Sequence, residues 1–132
     1  MTVCTKNRIN YFCGLEENKC VNSDLSEVGE LVNYWWKEVP RHFENVLLDE
    51  FVIMPNYLHG ILLLKKNEKI RDVVQWFKTI VTISYLMEMG MKNWPKINNK
   101  LWQDEHYEQI IRNEKEYLMA NEYITNNPKI IF

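Results

Sequence analysis

Two stretches of this chain place chemically capable side chains at spacings that would let them act together. In the first, Phe51 to Leu64, an apolar run enters a Met-Pro-Asn turn and leaves as a second apolar run containing His59. Side chains alternate across a strand, so positions 57 and 59 share a face. Two imidazoles so placed could grip one divalent ion. Tyr57 and His59 make a poorer pair, because a neutral phenol is a weak ligand and its ordinary pKa is about 10. In the second stretch Tyr123 and Asn127 stand four residues apart, which puts both on one side of a helix. The plainer reading stays open for each. A single strand histidine is ordinarily a packed or hydrogen-bonded residue, and Tyr117 and Tyr123 also fit an apolar helical stripe.

The elements that must position these residues follow from periodicity and punctuation. A short strand is expected over residues 2–6, then a small hairpin from Arg8 to Val21 around Glu16-Glu17-Asn18. Asp24 with Glu27 resembles a capping box. Leu25, Val28, Leu31, Val32 and Trp35 then recur at helical spacing, and Pro40 is expected to close that helix. Val46–Met54 and Tyr57–Lys65 read as strands joined by a tight Pro-Asn turn. The second is apolar at nearly every position from Leu58 to Leu64, so it should be central and covered on both faces. Ile70, Val73, Val74, Phe77, Ile80, Val81, Ser84 and Tyr85 give a second amphipathic helix ending at Gly90. Met91 to Lys100 reads as a polar loop, and His106 to Arg112 as a last strand. Asn113 with Glu116 would cap a final helix that must stop near Pro128. The order β, α, β, β, α, β, α is an α+β plan: a ferredoxin-like antiparallel sheet with helices on one face and an additional C-terminal helix. That fold alone decides no function.

With 132 residues, 46% apolar and 26% charged, the chain is about one globular domain. No segment reaches the roughly 18 apolar residues of a membrane span, and the N-terminus has no apolar signal region. Cys4, Cys13 and Cys20 are odd in number and lack Cys-x-x-Cys spacing. They read as reduced thiols of a cytoplasmic protein rather than a disulfide or zinc framework. The net charge of −2 is unevenly spread. Residues 16–50 carry nine acids against three bases, and residues 51–100 carry eight bases against three acids. Lys65, Lys66, Lys69, Arg71 and Lys78, just after the hairpin, could hold phosphates, although such clusters are commonly solvated surface.

The Phe51–Leu64 hairpin resembles the metal-binding hairpin of the HUH single-tyrosine transposases, the enzymes of insertion sequences and their REP-associated relatives. In that family the turn reads Met-Pro-Asn-His-x-His; here Tyr57 stands at the first histidine and His59 at the second. Glu-Tyr123-Ile-Thr-Asn-Asn127-Pro is similar to the family's nucleophile helix. Leu101-Trp102-Gln103, the run Tyr107 to Glu114, the Thr-Val-Cys-Thr-Lys-Asn-Arg opening and Leu-Asp-Glu-Phe-Val-Ile-Met-Pro-Asn extend the likeness over nearly the whole chain. Gln109 replaces a histidine usual in the family, and the start reads as shortened within a single domain spanning 1–132.

The resemblance implies cleavage and rejoining of single-stranded or hairpin DNA. Tyr123 would be the nucleophile that forms a 5′-phosphotyrosine link. His59 and Asn127 would be ligands to Mg²⁺ or Mn²⁺, with Tyr57 at the missing ligand. Lys65, Lys66, Lys69, Arg71, Lys78 and Arg112 would contact DNA. Trp35, Trp36, Trp76 and Trp94 would stack bases if exposed and pack the core otherwise. The implied setting is the bacterial cytoplasm at the nucleoid, with homodimers formed through the sheets of some relatives. Loss of one ligand is expected to reduce or abolish cleavage while fold and DNA affinity persist. Two other readings stand beside this one: a catalytically inactive nucleic-acid-binding module on the same fold, and a purely structural homodimer. The stacking signature of RNA-recognition domains is not visible in the sequence.

Overall fold

The computed structural model describes residues 2–4, 25–54, 56–97, 100–104, 106–108 and 110–126. In chain order these form β1 (Thr2–Cys4), α1 (Glu27–His42), β2 (Val46–Met54), β3 (Tyr57–Leu64), α2 (Ile70–Met89) and α3 (Glu114–Asn126). The three strands make one antiparallel sheet in the order β1-β3-β2, with β3 central as its apolar sequence requires. The α+β plan is therefore present. The expected hairpin over Arg8–Val21 lies outside the described residues.

Alternation along β3 gives the sheet two different faces. Leu58, Gly60, Leu62 and Leu64 point to α1 and α2, where the main core gathers Val28, Val32, Trp36, Val39, Val73, Val74, Phe77, Val81 and Tyr85. Trp36 is fully buried and meets Phe77 edge-on, with ring centroids 5.3 Å apart. The other face is thinly covered by α3. Val52, Met54, Ile61 and Ile124 form a small second cluster, flanked by Tyr57, Ile111, Tyr117 and Ala120.

The β2–β3 ladder carries one irregularity. Leu48 pairs with Leu62 and Phe51 with Gly60, so Asp49 and Glu50 together oppose Ile61. This is a β-bulge, two residues against one. Its effect is a change of phase. Val46 and Leu48 face α1 and α2 before the bulge, and Phe51 and Ile53 face them after it. Both acids of the bulge are left exposed. Strict alternation would have carried Phe51 to the opposite face, away from Trp36, whose ring it meets at 6.2 Å.

Three local expectations change. Helix α1 starts two residues later than an Asp24 cap would set it: Ser26 is the N-cap, its hydroxyl accepting from the Gly29 N–H at 3.0 Å. Pro40 sits inside α1 rather than ending it. So near the C-terminus it removes a single intrahelical donor, and Phe43 N–H closes the end on the Val39 carbonyl. The described residues between His106 and Arg112 form no strand and hold only an isolated bridge at Tyr107. Tyr107 and Ile110 are both exposed there and Ile111 is only half-buried against the small cluster, so the stretch has too little apolar surface to add a strand to the sheet. Helix α3 begins as its sequence suggests, with Glu116 N–H on Asn113 Oδ1 and Arg112 N–H on the Glu116 carboxylate, each at 2.8 Å.

Gly60 permits the close approach of α1 to the sheet. A Cβ there would stand 2.8 Å from Trp36 Cζ2 and 3.2 Å from Phe51 Cβ. Gly60→Ala is expected to destabilise the fold by about 1–3 kcal/mol through overpacking. Gly90→Ala, where nothing lies within 4 Å and the backbone is already right-handed helical, should be neutral or stabilising by up to about 1 kcal/mol. Urea unfolding of the two variants checks the contrast.

Candidate active site

His59 follows from β3's alternation: with Tyr57 and Ile61 it points away from the main core and toward α3. Across the sheet it is paired with Thr2 of β1 and Val52 of β2. Its ring meets Tyr123 of α3, with centroids 5.1 Å apart and planes inclined at 61°. Residues 64 positions apart in the chain thus share one site, supplied within one molecule. Tyr57 lies at the edge of the same small cluster.

The two rings sit in different environments. Burial lowers the His59 pKa from 6.5 to about 4, because the imidazolium loses hydration there. The imidazole is neutral throughout the physiological range, which leaves a ring nitrogen lone pair to serve as ligand or acceptor. Tyr123 is 45% exposed, so its phenol is open to a partner arriving from solvent. Tyr117, the other tyrosine of α3 on this side, is engaged differently. Its O–H donates to Asp49 Oδ2 at 2.5 Å, and that hydrogen bond raises its pKa. The Asn121 side-chain amide donates in turn to the Tyr117 oxygen at 3.4 Å. Of the two phenols, Tyr123 is the one on the histidine.

Asn127 lies outside the described residues, as does Gln109. Among the described residues no group of three or more His, Cys, Asp or Glu side chains is arranged to hold a metal. The described donor chemistry, one neutral imidazole with a phenol two residues away, does not suit a closed zinc-type cage. It fits an ion that keeps several waters and takes further oxygens from a phosphate, as Mg²⁺ does.

The described basic residues singled out in the sequence do not form one group. Lys65 and Lys66 are exposed beyond the far end of β3, roughly 20 Å along the strand from His59 at about 3.3 Å per residue. Lys69 and Arg71 are exposed at the start of α2, and Arg112 is exposed just before α3. Lys78 is committed inside the molecule, its ammonium donating to the Gln103 carbonyl at 2.6 Å and the Asp104 carbonyl at 3.2 Å. With Arg71, Lys100 and His106 it lines a cleft of about 680 Å³ between α2 and residues 100–106. Val74 and Trp102 tie that cleft to the main core, so it lies across the sheet from His59. None of the four tryptophans considered for base stacking is exposed. Trp36 is fully buried, and Trp35, Trp76 and Trp94 are half-buried against the core. No helix among the described residues is long and apolar enough to cross a membrane.

Comparison with known proteins supplies the family. The family model for IS200-like transposases matches residues 1–127, and the chain belongs to that family. An uncharacterized protein of Haemophilus influenzae is 34% identical, over 97% of this chain and 78% of its own length. Among solved structures, a REP-associated tyrosine transposase bound to a REP hairpin is similar in fold, with a TM-score of 0.68 at 20% identity. That match covers 97% of this chain, which spans 64% of the solved one.

The burial of His59 has a measurable consequence. In metal-free protein its ring is expected to titrate near pH 4 rather than 6.5, read by NMR. Because the folded-state pKa is the lower one, the unfolded chain takes up the proton first. The His59 contribution to stability is then complete above about pH 6.5, declines as pH falls toward 4, and changes no further below that. Tyr123→Ala, which uncovers the ring, should move the titration back toward 6.5.

Proposed function

We propose that this chain binds single-stranded or hairpin DNA and that Tyr123 cleaves and rejoins it. The observation that carries the reading is the Tyr123–His59 contact, with an exposed phenol on a neutral imidazole, in a chain of the IS200-like transposase family. The Tyr123 oxygen attacks a phosphodiester phosphorus. The bond to the 3′ oxygen breaks, leaving a 5′-phosphotyrosine link and a free 3′-hydroxyl; the phenolic proton is lost as the departing oxygen gains one. Attack by the 3′-hydroxyl of another strand reverses the step and rejoins DNA. His59, with Asn127, would hold Mg²⁺ or Mn²⁺. When bound, that ion supplies Lewis-acid stabilisation of charge on the phosphate. Tyr57 stands at the position of a histidine in the family's motif, so an ion there would be held more weakly and turnover would be reduced. Lys65, Lys66, Lys69, Arg71 and Arg112 are surface cations suited to phosphate contacts remote from the reacting group. Lys78 contributes by holding residues 103 and 104. The setting is the bacterial cytoplasm, beside nucleoid DNA.

The second reading, a catalytically inactive DNA-binding module on the same fold, is favoured by Tyr57 alone. A covalent-adduct assay separates the two. Purified protein is incubated with labelled single-stranded hairpins and Mn²⁺ or Mg²⁺, then resolved on a denaturing gel. A weak, metal-dependent adduct is expected from the native sequence and none from Tyr123→Phe. Tyr57→His should raise the yield about tenfold or more, the scale on which a lost contact at a metal site acts. An adduct that persists in Tyr123→Phe would rule out the nucleophile. Absence of adduct in both the native protein and Tyr57→His, with hairpin binding retained, would establish the module instead.

A further inference from the structure

Helix α3 is lightly held for an element that carries half of the site. Of its described side chains only Ile124 is buried; Leu118, Met119 and Tyr123 are exposed, and Tyr117 and Ala120 are half-buried. A single buried isoleucine is a smooth apolar contact and does little to fix rotation about the helix axis. A shift of α3 by one residue turns it through about 100°, enough to carry Tyr123 off His59.

The directional contact lies six residues before Tyr123. Tyr117 donates to Asp49 Oδ2 at 2.5 Å, joining positions 68 residues apart, and Asp49 sits in the β-bulge. The bulge aims the carboxylate: Asp49 Oδ1 accepts the Glu50 N–H at 2.9 Å, which leaves Oδ2 for the phenol. Bulges commonly re-aim a side chain in this way. The contact continues along α3, with the Asn121 amide on the Tyr117 oxygen and the Thr125 hydroxyl donating to Asn121 Oδ1 at 3.1 Å. Positions 117, 121 and 125 lie along one side of α3. Tyr117 meets the sheet at the bulge and Tyr123 meets it at His59, nearer the Met54–Tyr57 turn, so the helix is pinned at one end and presents its phenol at the other.

We propose that Asp49 is a positioning residue: through Tyr117 it sets the rotation of α3 and so keeps the Tyr123 ring against His59. The catalytic consequence rests on the proposed function; the geometric one does not. The carboxylate also disfavours the phenolate and raises the Tyr117 pKa, so the phenol stays a donor. The Asp-Glu pair thus does two things, shifting the phase of β2 for the core and supplying the acceptor that orients the helix.

The test uses the full chain with Tyr117→Phe, Asp49→Ala, Asp49→Asn and, as a neighbour on the same bulge, Glu50→Gln. Circular dichroism and thermal unfolding confirm that each is folded. The first readout needs neither metal nor DNA: the nuclear Overhauser effect between the His59 and Tyr123 rings. The second is the single-turnover rate of adduct formation, with hairpin affinity measured separately. Tyr117→Phe and Asp49→Ala are expected to lose most of the ring-to-ring effect and to slow adduct formation tenfold or more at unchanged hairpin affinity. Asp49→Asn, whose amide oxygen still accepts from the phenol, should recover most of both, and Glu50→Gln should match the native protein. Native ring contact and rate in folded Tyr117→Phe would overturn the proposal. If the native protein forms no adduct at all, the catalytic reading falls, and the ring-to-ring effect alone decides whether Asp49 sets the helix.

Discussion

The pairing of β2 with β3 is the constraint on which the rest depends. A central strand must present alternate residues to opposite faces, and here the faces have unequal duties. One is filled by α1 and α2, with Trp36 reaching the strand at Gly60, where no side chain could be accommodated without displacement. Among the described residues the other is covered by α3 and a few apolar residues. The bulge at Asp49 and Glu50 reconciles the strands with this division. It brings Phe51 to the tryptophan side and leaves Val52 and Met54 for the other.

That division separates stability from chemistry. The main core holds a close set of aromatic contacts, with Trp36, Phe51, Phe77 and Trp102 linked ring to ring. Large aromatic side chains of this kind contribute most of the area removed from water, and the edge-on Trp36–Phe77 pair adds to it. The thin face is covered enough to keep the His59 imidazole neutral and open enough to leave Tyr123 in contact with solvent. A sealed face would exclude a polymeric substrate, and a bare one would leave the histidine to titrate near 6.5. The intermediate cover also explains why polar contacts matter more on this side, since a helix with one buried residue takes its orientation from the hydrogen bonds it makes.

Local chemistry was largely legible in the residues. The hairpin strands, α2 with its stop at Gly90 and the Asn113–Glu116 start of α3 are all visible in periodicity and caps, because each depends on neighbours within a turn or two. Where the reading departed, a nonlocal or competing preference prevailed. Ser26, two residues beyond Asp24, takes the cap position, and Pro40 is tolerated because so little helix follows it. The stretch His106 to Arg112 has strand-like composition, but among its described residues Tyr107 and Ile110 are exposed and Ile111 is only half-buried against the small cluster. Lys78 looks like any surface lysine in the sequence, yet it anchors the 103–104 carbonyls. The one sequence signal for the bulge was two acids in an otherwise apolar strand, and that signal does not say where either carboxylate points.

By itself the sequence determined the family, the central hairpin and the candidate side chains for chemistry, since these reside in residue type and short spacing. Only the tertiary structure decided that His59 and Tyr123 meet within one molecule, that Tyr117 is engaged with Asp49, and that Lys78 is turned to the Gln103 and Asp104 carbonyls. The reason is physical. Each is a relation between elements far apart in the chain, set by which face of the sheet a strand residue takes and by how one helix is rotated upon it.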